Sequence, residues 1–251
     1  MKKNLLLLFL CFIVLSGKAQ EFSSSLDEVA PVDTQNIIKI NMMAFAARNV
    51  SLQYERAIGN KTTLAANVNF MTRGKLPFLS QFESIIDDDF TYQYAKTFKV
   101  SGFLFTPEVR FYLGQSAFRG FYIAPFVRYS TYKGDINLEI EVEQGRTDSF
   151  PISGRLNAFS GGFSLGAQWR LSEHFYLDWM IMGPHFGFSN GKFSGSKDLS
   201  EYEIEEYKGE LSNFDIPMLK VEYVVNDKGA TARFKGPWAG IRTGFSLGYR
   251  F

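Results

Sequence analysis

The sequence predicts an all-β chain: a transmembrane, antiparallel, up-and-down β-barrel of eight strands, with ten as the alternative, and with long extracellular loops. Three observations carry this reading. Apolar and polar residues alternate with a period of two along most of the chain. The connections between these segments are short and long by turns. Aromatic residues reach 16 %, with 26 Phe and 12 Tyr among 251 residues. Successive strand side chains point to opposite faces, so each segment has one greasy and one polar face. A membrane strand needs about 9–11 residues and turns its apolar face to lipid.

The first segment is an address. Lys2 and Lys3 precede an unbroken apolar stretch from Leu5 to Leu15, and Gly17-Lys18-Ala19 places small residues before Gln20. That stretch is too short to span a bilayer, so residues 1–19 read as a secretory signal peptide. Cys11 follows Leu10 instead of the small residue that a lipoprotein cleavage site needs. Residues 20–36 are expected as a short periplasmic segment and 37–251 as the barrel. Removal of Lys2, Lys3 and Lys18 leaves 24 basic against 26 acidic residues, a net charge of −2. Such balance excludes a nucleic-acid-binding footprint. The processed chain has no Cys and only His174 and His185. It therefore has no disulfide, no thiol nucleophile and no set of Cys or His to ligate a metal, and no cofactor is expected. After residue 20 no apolar run is long enough for a helical span.

The strands follow in order. Ile38, Ile40, Met42 and Ala44 oppose Lys39, Asn41 and Met43. Val50, Leu52 and Tyr54 oppose Ser51, Gln53 and Glu55, after a tight turn over Ala46 to Asn49. Leu64, Ala66, Val68 and Phe70 oppose Thr63, Ala65, Asn67 and Asn69. Phe103, Phe105, Pro107, Val109, Phe111 and Leu113 oppose Thr106, Glu108, Arg110 and Tyr112. Phe121, Ile123, Pro125, Val127 and Tyr129 oppose Tyr122, Arg128 and Ser130. Phe163, Leu165, Ala167, Trp169 and Leu171 oppose Ser164, Gly166, Gln168 and Arg170. Phe175, Leu177, Trp179 and Ile181 oppose Tyr176 and Asp178. The clearest case is the C-terminus, where Ala239, Ile241, Thr243, Phe245, Leu247, Tyr249 and Phe251 oppose Gly240, Arg242, Gly244, Ser246, Gly248 and Arg250. Pro107 and Pro125 cannot donate to a ladder and are expected at bulges or at upper strand ends.

Closure follows from the solvent. Hydrocarbon offers no hydrogen bonds, so every backbone group must pair within the protein and the sheet can have no edge. Trp169, Phe175, Tyr249 and Phe251 fall at one set of strand ends, with Trp238, Phe103 and Tyr129 nearer the other, as two aromatic girdles would. The inward charges are Lys39, Glu55, Glu108, Arg110, Arg128, Arg170, Asp178, Arg242 and Arg250. A barrel of eight strands is only wide enough for its own side chains, so mixed signs predict a packed lumen charge network instead of an aqueous channel.

The terminal Leu247-Gly248-Tyr249-Arg250-Phe251 resembles the C-terminal signal that Gram-negative outer-membrane barrels present to their assembly machinery, with Phe245, Leu247, Tyr249 and Phe251 as its apolar members. Asn41, Leu52-x-Tyr54-Glu55, Lys61-Thr62-Thr63-Leu64 and Gly236-Pro237-Trp238-Ala239-Gly240 together resemble an uncharacterised family of small outer-membrane β-barrels of OmpA/OmpX-like architecture. The resemblance implies outer-membrane lipid and lipopolysaccharide as surroundings, both termini in the periplasm, and no catalytic residues. The long loops depart from the OmpA/OmpX type.

The loops at 72–100, 133–154 and 184–237 are where a function is expected, since loops on a rigid scaffold carry binding. Asp87-Asp88-Asp89 reads as an acidic solvated tip. Asp198 to Glu210 reads as a short helix or an irregular flap. Met218 to Val225 and Ala230 to Phe234 read as a hairpin turning at Asn226-Asp227-Lys228-Gly229, which either projects above the membrane or adds two strands to the barrel. The expected function is structural, or recognition through these loops, without catalysis and with no ligand named by the sequence. The alternatives are a small-solute channel of ten or more strands and a lipid A acylhydrolase. The latter would use His185 and Ser189, which share a parity but stand about 13 Å apart on an extended strand and would need a bend at Gly187.

Overall fold

In the computed structural model, residues 35–76, 96–142, 146–212 and 220–251 are described. Nine strands form, in chain order: β1 (Asn36–Asn41), β2 (Asn49–Ala57), β3 (Thr62–Lys75), β4 (Lys99–Tyr112), β5 (Gly120–Val142), β6 (Arg146–Arg170), β7 (Phe175–Ser196), β8 (Lys220–Asn226) and β9 (Gly229–Arg250). A 3-10 turn (Met43–Ala47) joins β1 to β2, and helix α1 (Glu201–Ser212) follows β7. Each of β1 to β6 pairs antiparallel with the next, β7 pairs with β9, and β9 returns to β1. The ring is therefore closed by eight strands. β8 pairs only with the upper part of β9, Lys220 with Lys235 through Asn226 with Gly229, and stands outside the ring. The end of the ring holding Asn36 and Arg250 is called lower here.

The burial pattern is inside out. Arg110, at the centre of the barrel, is 0 % exposed, whereas Ile241 on the outer wall is 74 % exposed. Lys39, Glu55, Glu108 and Asp178 are buried, and Leu52, Leu64, Phe105, Phe121, Phe163 and Leu247 are exposed.

Several local expectations are corrected. Met42 and Ala44 do not continue β1. The strand stops at Asn41, whose Oδ1 accepts the amides of Met43 and Ala44 and so diverts the chain into the 3-10 turn. Arg48, in the left-handed region at φ 56°, ends that turn, so the connection spans 42–48 and not Ala46 to Asn49 alone. In β7 the parity changes partway. Gly166 faces Met180 and Leu165 faces Met182, so a bulge at Ile181 puts Ile181 and Met182 both outside. Beyond it the odd residues face inward. Pro107 and Pro125 lie at no bulge. The β4–β5 register is constant through Phe105–Tyr129, Glu108–Phe126 and Phe111–Ile123, and the ladder skips the positions of the two prolines. Each keeps a partner on its other edge, Ala66 for Pro107 and Phe163 for Pro125.

The long connections are largely sheet. β5 and β6 stay in register from Gly120–Gln168 to Val142–Arg146, and β7 and β9 from Phe175–Tyr249 to Ser196–Gly229 apart from the bulge. Ladder pairing does not itself require a greasy outer face, so polar segments such as Lys133-Gly134-Asp135 extend strands that their composition assigns to loops. The tip Asp87-Asp88-Asp89 lies outside the described residues. The expected hairpin forms, but its second arm and the C-terminal strand are one strand of 22 residues, β9. Gly229 turns it, with φ +130° and no room for a Cβ beside the Gly195 carbonyl.

The extensions carry a small core of their own. Phe150, Leu199, Tyr207, Val225 and Ala230 are buried together, with Ile136, Ile152 and Ile204 against them. The Phe150 and Tyr207 ring centroids are 5.0 Å apart. The segment expected from Asp198 to Glu210 thus docks as a helix that begins at Glu201. A capping box starts it: Glu203 Oε2 accepts the Ser200 amide at 2.8 Å and the Ser200 hydroxyl at 2.9 Å, and Ser200 Oγ accepts the Glu203 amide at 3.3 Å.

The Ser200 amide, above other contacts, holds the Glu203 carboxyl below its ordinary range. The cap's contribution is present at neutral pH and is lost as pH falls through that lowered value. Amide exchange in α1 is therefore expected to accelerate only in acid, after ordinary surface glutamates have protonated, and Ser200→Ala is expected to weaken the helix by about 1 kcal/mol at neutral pH by the same measurement. Gly166 is a contact point of a different kind, since a Cβ there would lie 2.4 Å from the Tyr122 hydroxyl. Gly166→Val is expected to cost about 1–3 kcal/mol in urea unfolding followed by Trp fluorescence.

Candidate functional site

Alternation decides which side chains enter the lumen, and the register decides which of them meet. Lys39 on β1 places its Nζ 2.5 Å from Glu55 Oε2 (β2), 2.5 Å from Asp178 Oδ2 (β7) and 2.7 Å from Gln168 Oε1 (β6). Arg110 on β4 donates from Nε to Glu108 Oε1 at 2.7 Å, from Nη1 to Asp178 Oδ2 at 2.5 Å and to Glu55 Oε2 at 3.3 Å, and from Nη2 to Gln53 Oε1 at 3.0 Å. Arg242 on β9 donates to Glu108 Oε2 at 3.1 Å. Neutral donors complete the carboxylates: Thr63 (β3) and Tyr112 on Glu55 at 2.5 and 2.7 Å, Tyr122 (β5) on Asp178 at 2.9 Å, and Gln53 on Glu108 at 2.8 Å. Arg110 also lies 4.3 Å above the Tyr122 ring and Arg242 4.4 Å above the Phe126 ring. All eight ring strands contribute. Three cations face three carboxylates, so the cluster is neutral, as a buried set must be to repay its desolvation.

Three residues expected in this network lie apart from it. Arg170 and Arg250 are at the lower end, where Arg170 donates to the Ser172 carbonyl at 3.0 Å and Arg250 to the Tyr176 hydroxyl at 2.9 Å. Arg128 lies above, and its Nε donates to Thr106 Oγ1 at 3.1 Å. Parity gives a side chain's face but not its height along the barrel. With a rise of about 3.3 Å per residue, Arg250 and Arg242 share a face but lie about 26 Å apart along β9.

Phe118 escapes a reading by alternation because it sits in the short turn between β4 and β5. Its φ of 68° is strained for an aromatic residue, and its ring is 2 % exposed among Ile37 and Tyr176. Arg250 lies 5.2 Å over that ring. Phe118 closes the lower mouth. The available signal was an aromatic residue inside a Gly114-to-Gly120 turn, where solvent alone would select a polar one.

His185 and Ser189 both face inward on β7, and Gly187 between them stays extended, paired with Ser160 and Trp238. Ser189 donates to the Gly236 carbonyl at 3.3 Å, and the His185 ring packs edge-on to Phe126. The bend that a catalytic pair needs is not formed. Among the described residues no group of three or more His, Cys, Asp or Glu is placed to hold a metal, and no helix is long and apolar enough to cross a membrane.

Above the network the lumen opens into a cavity of about 510 Å³. Arg110, Asp178 and Arg242 form its floor, and Asn49, Asn69 and Arg128 are on its walls.

A family model described as protein of unknown function (DUF3575) matches residues 5–211. A comparison with curated proteins gives no match. Among solved structures, the chain is similar to Ail, the attachment invasion locus protein of Yersinia pestis, at 11 % identity and a TM-score of 0.35, over 88 % of this chain and 100 % of that one. It is also similar to the N-terminal β-barrel domain of Pseudomonas aeruginosa OprF, at 10 % identity and a TM-score of 0.27, over 87 % and 98 %. For the β domain of the Bordetella autotransporter BrkA the values are 12 %, 0.25, 86 % and 98 %. These overlaps are too loose to assign anything to this chain, and the closed ring stands on its own hydrogen-bond register.

Arg110→Met leaves three carboxylates against two cations. It is expected to destabilise the folded barrel by about 3–5 kcal/mol, measured by urea titration of the detergent-folded protein.

Proposed function

The chain belongs to the DUF3575 family of proteins of unknown function, and from its geometry we propose that it is an integral outer-membrane barrel of a Gram-negative bacterium, without catalytic activity, that holds a structured cap at the cell surface. The supporting observation is the inverted burial: ion pairs inside a closed ring, with Leu, Ile and Phe over its outside. In water that surface would exceed any apolar patch a soluble monomer tolerates, whereas in hydrocarbon it is the stable arrangement.

On this reading both ends of the chain lie in the periplasm, and the exposed Phe245, Leu247, Tyr249 and Phe251 are the strip offered to the assembly machinery. Lipid and lipopolysaccharide then surround the apolar belt. The role is structural, or recognition by the cap, where α1 turns Glu201, Glu205 and Glu206 outward while Tyr207 anchors it. Conduction is disfavoured, because Phe118 and the neutral cluster fill the lower lumen of a ring too narrow for a pore.

Reconstitution in planar bilayers tests the reading. Purified protein is expected to give no stable unit conductance at neutral pH. A reproducible single-channel step would overturn the filled lumen, and recovery of the processed chain as a detergent-free soluble monomer with native sheet content would overturn the membrane assignment.

A further inference from the structure

The ring has one low wall. β1 has six residues, and at about 3.4 Å rise and about 45° tilt they climb only about 14 Å, against an apolar band of about 25 Å. β9 climbs past that point. It pairs with β1 from Arg250 to Ser246, Phe245 takes the Met42 amide on its carbonyl at 2.8 Å and gives its own to Asn41 Oδ1 at 3.3 Å, and the pairing with β8 resumes only at Lys235. On this edge, residues 236–244 have no strand beside them among the described residues. Among the described residues this leaves a notch between the 3-10 turn and β9, at the height of the membrane's apolar band. Met42, Met43 and Phe45 are exposed along its sill.

The notch leads into the upper cavity. Ile241 and Thr243 have side chains exposed on the outer wall, yet both line the cavity, as do Met43 and Ala44 of the turn. Among the described residues the cavity therefore reaches the outside of the barrel sideways, between β9 and the turn. Within it, Lys39, Arg110 and Arg242 are already balanced by Glu55, Glu108 and Asp178. Arg128 is not. It projects into the cavity, half-buried, with Thr106 Oγ1 as a neutral partner and no carboxylate within ion-pair distance among the described residues. A cation removed from water calls for an anion.

We propose that the upper lumen binds an anionic amphiphile drawn sideways from the bilayer: its carboxylate or phosphate meets Arg128, and its single apolar chain lies through the notch beside Met43 and Ile241. This rests on the membrane reading above. At about 510 Å³ the cavity is the size of a small-ligand site. The charged end is selected by Arg128 and the tail by the open wall. A water-soluble anion of the same charge gains only the first of these contacts.

The test uses the full processed chain in non-ionic detergent, with bound molecules counted by native mass spectrometry. The probes are dodecanoate, its methyl ester, dodecyl phosphate and inorganic phosphate. One dodecanoate or dodecyl phosphate per chain is expected, with at least tenfold weaker binding of the ester and of inorganic phosphate. Preference between the two acids identifies a fatty-acid or a phosphate headgroup source. Arg128→Gln is expected to weaken binding at least tenfold and Arg128→Lys less than threefold. Ala44→Trp, which fills the notch, should weaken both acids while the unfolding midpoint stays unchanged. Equal binding of acid and ester, or unchanged binding by Arg128→Gln, overturns the anion site. Equal binding of inorganic and dodecyl phosphate overturns the role of the notch. Flotation with liposomes separates the two readings: protein that fails to float defeats the membrane assignment, and protein that floats but shows any of those results defeats this proposal alone.

Discussion

The whole ring turns on a charge balance. Lys39, Arg110 and Arg242 sit among Glu55, Glu108 and Asp178, and each of the eight ring strands supplies at least one polar group to the set. Such a cluster is a weak source of net stability, because removing six charges from water costs nearly what their attraction returns. Its effect is on arrangement. A one-residue slip in any ladder would exchange an inward ion for an outward Leu or Phe, leaving an unpaired charge inside and another on the apolar outer face. Register around the barrel is thereby tied to a single interior point.

Much of this was legible in the sequence, and the parts that were not have common causes. Period-two alternation identifies every strand of the ring, because one face is apolar and exposed and the other lines an interior of ions. It cannot give height, which is why Arg170, Arg250 and Arg128 share a face with the central cluster but do not join it. Nor does alternation see the bulge at Ile181, where one extra outward residue turns the odd positions of β7 inward and brings His185 and Ser189 to the lumen. The 3-10 turn was hidden because Met42 and Ala44 keep the apolar parity of β1. What ends the strand is the Asn41 side chain, a local hydrogen bond that hydrophobicity does not record.

Above the belt the physics changes, and the sequence signal changes with it. β5, β6, β7 and β9 continue as ladders into water, where either face can be polar, so composition alone marks them as loops. Their order comes from a second core around Phe150 and Tyr207, into which α1 and the β8–β9 hairpin dock. On the proposed membrane reading the molecule is built in two solvents, with opposite rules for which residues hide, along the same unbroken strands.

The seam between β1 and β9 has a consequence for how the barrel is made. It joins Ile37 to Arg250 across nearly the whole chain, through five register pairs, against twenty between β7 and β9. Every other ladder of the ring joins neighbours in the chain or nearly so. Contact order is thus concentrated in one short stretch, whose formation bears the largest loop-closure entropy and returns few hydrogen bonds. Circularisation is then the late event of assembly: an open, curled sheet stitched by hairpins persists until its two extremities meet, and the same short zipper is the first place the finished cylinder can part.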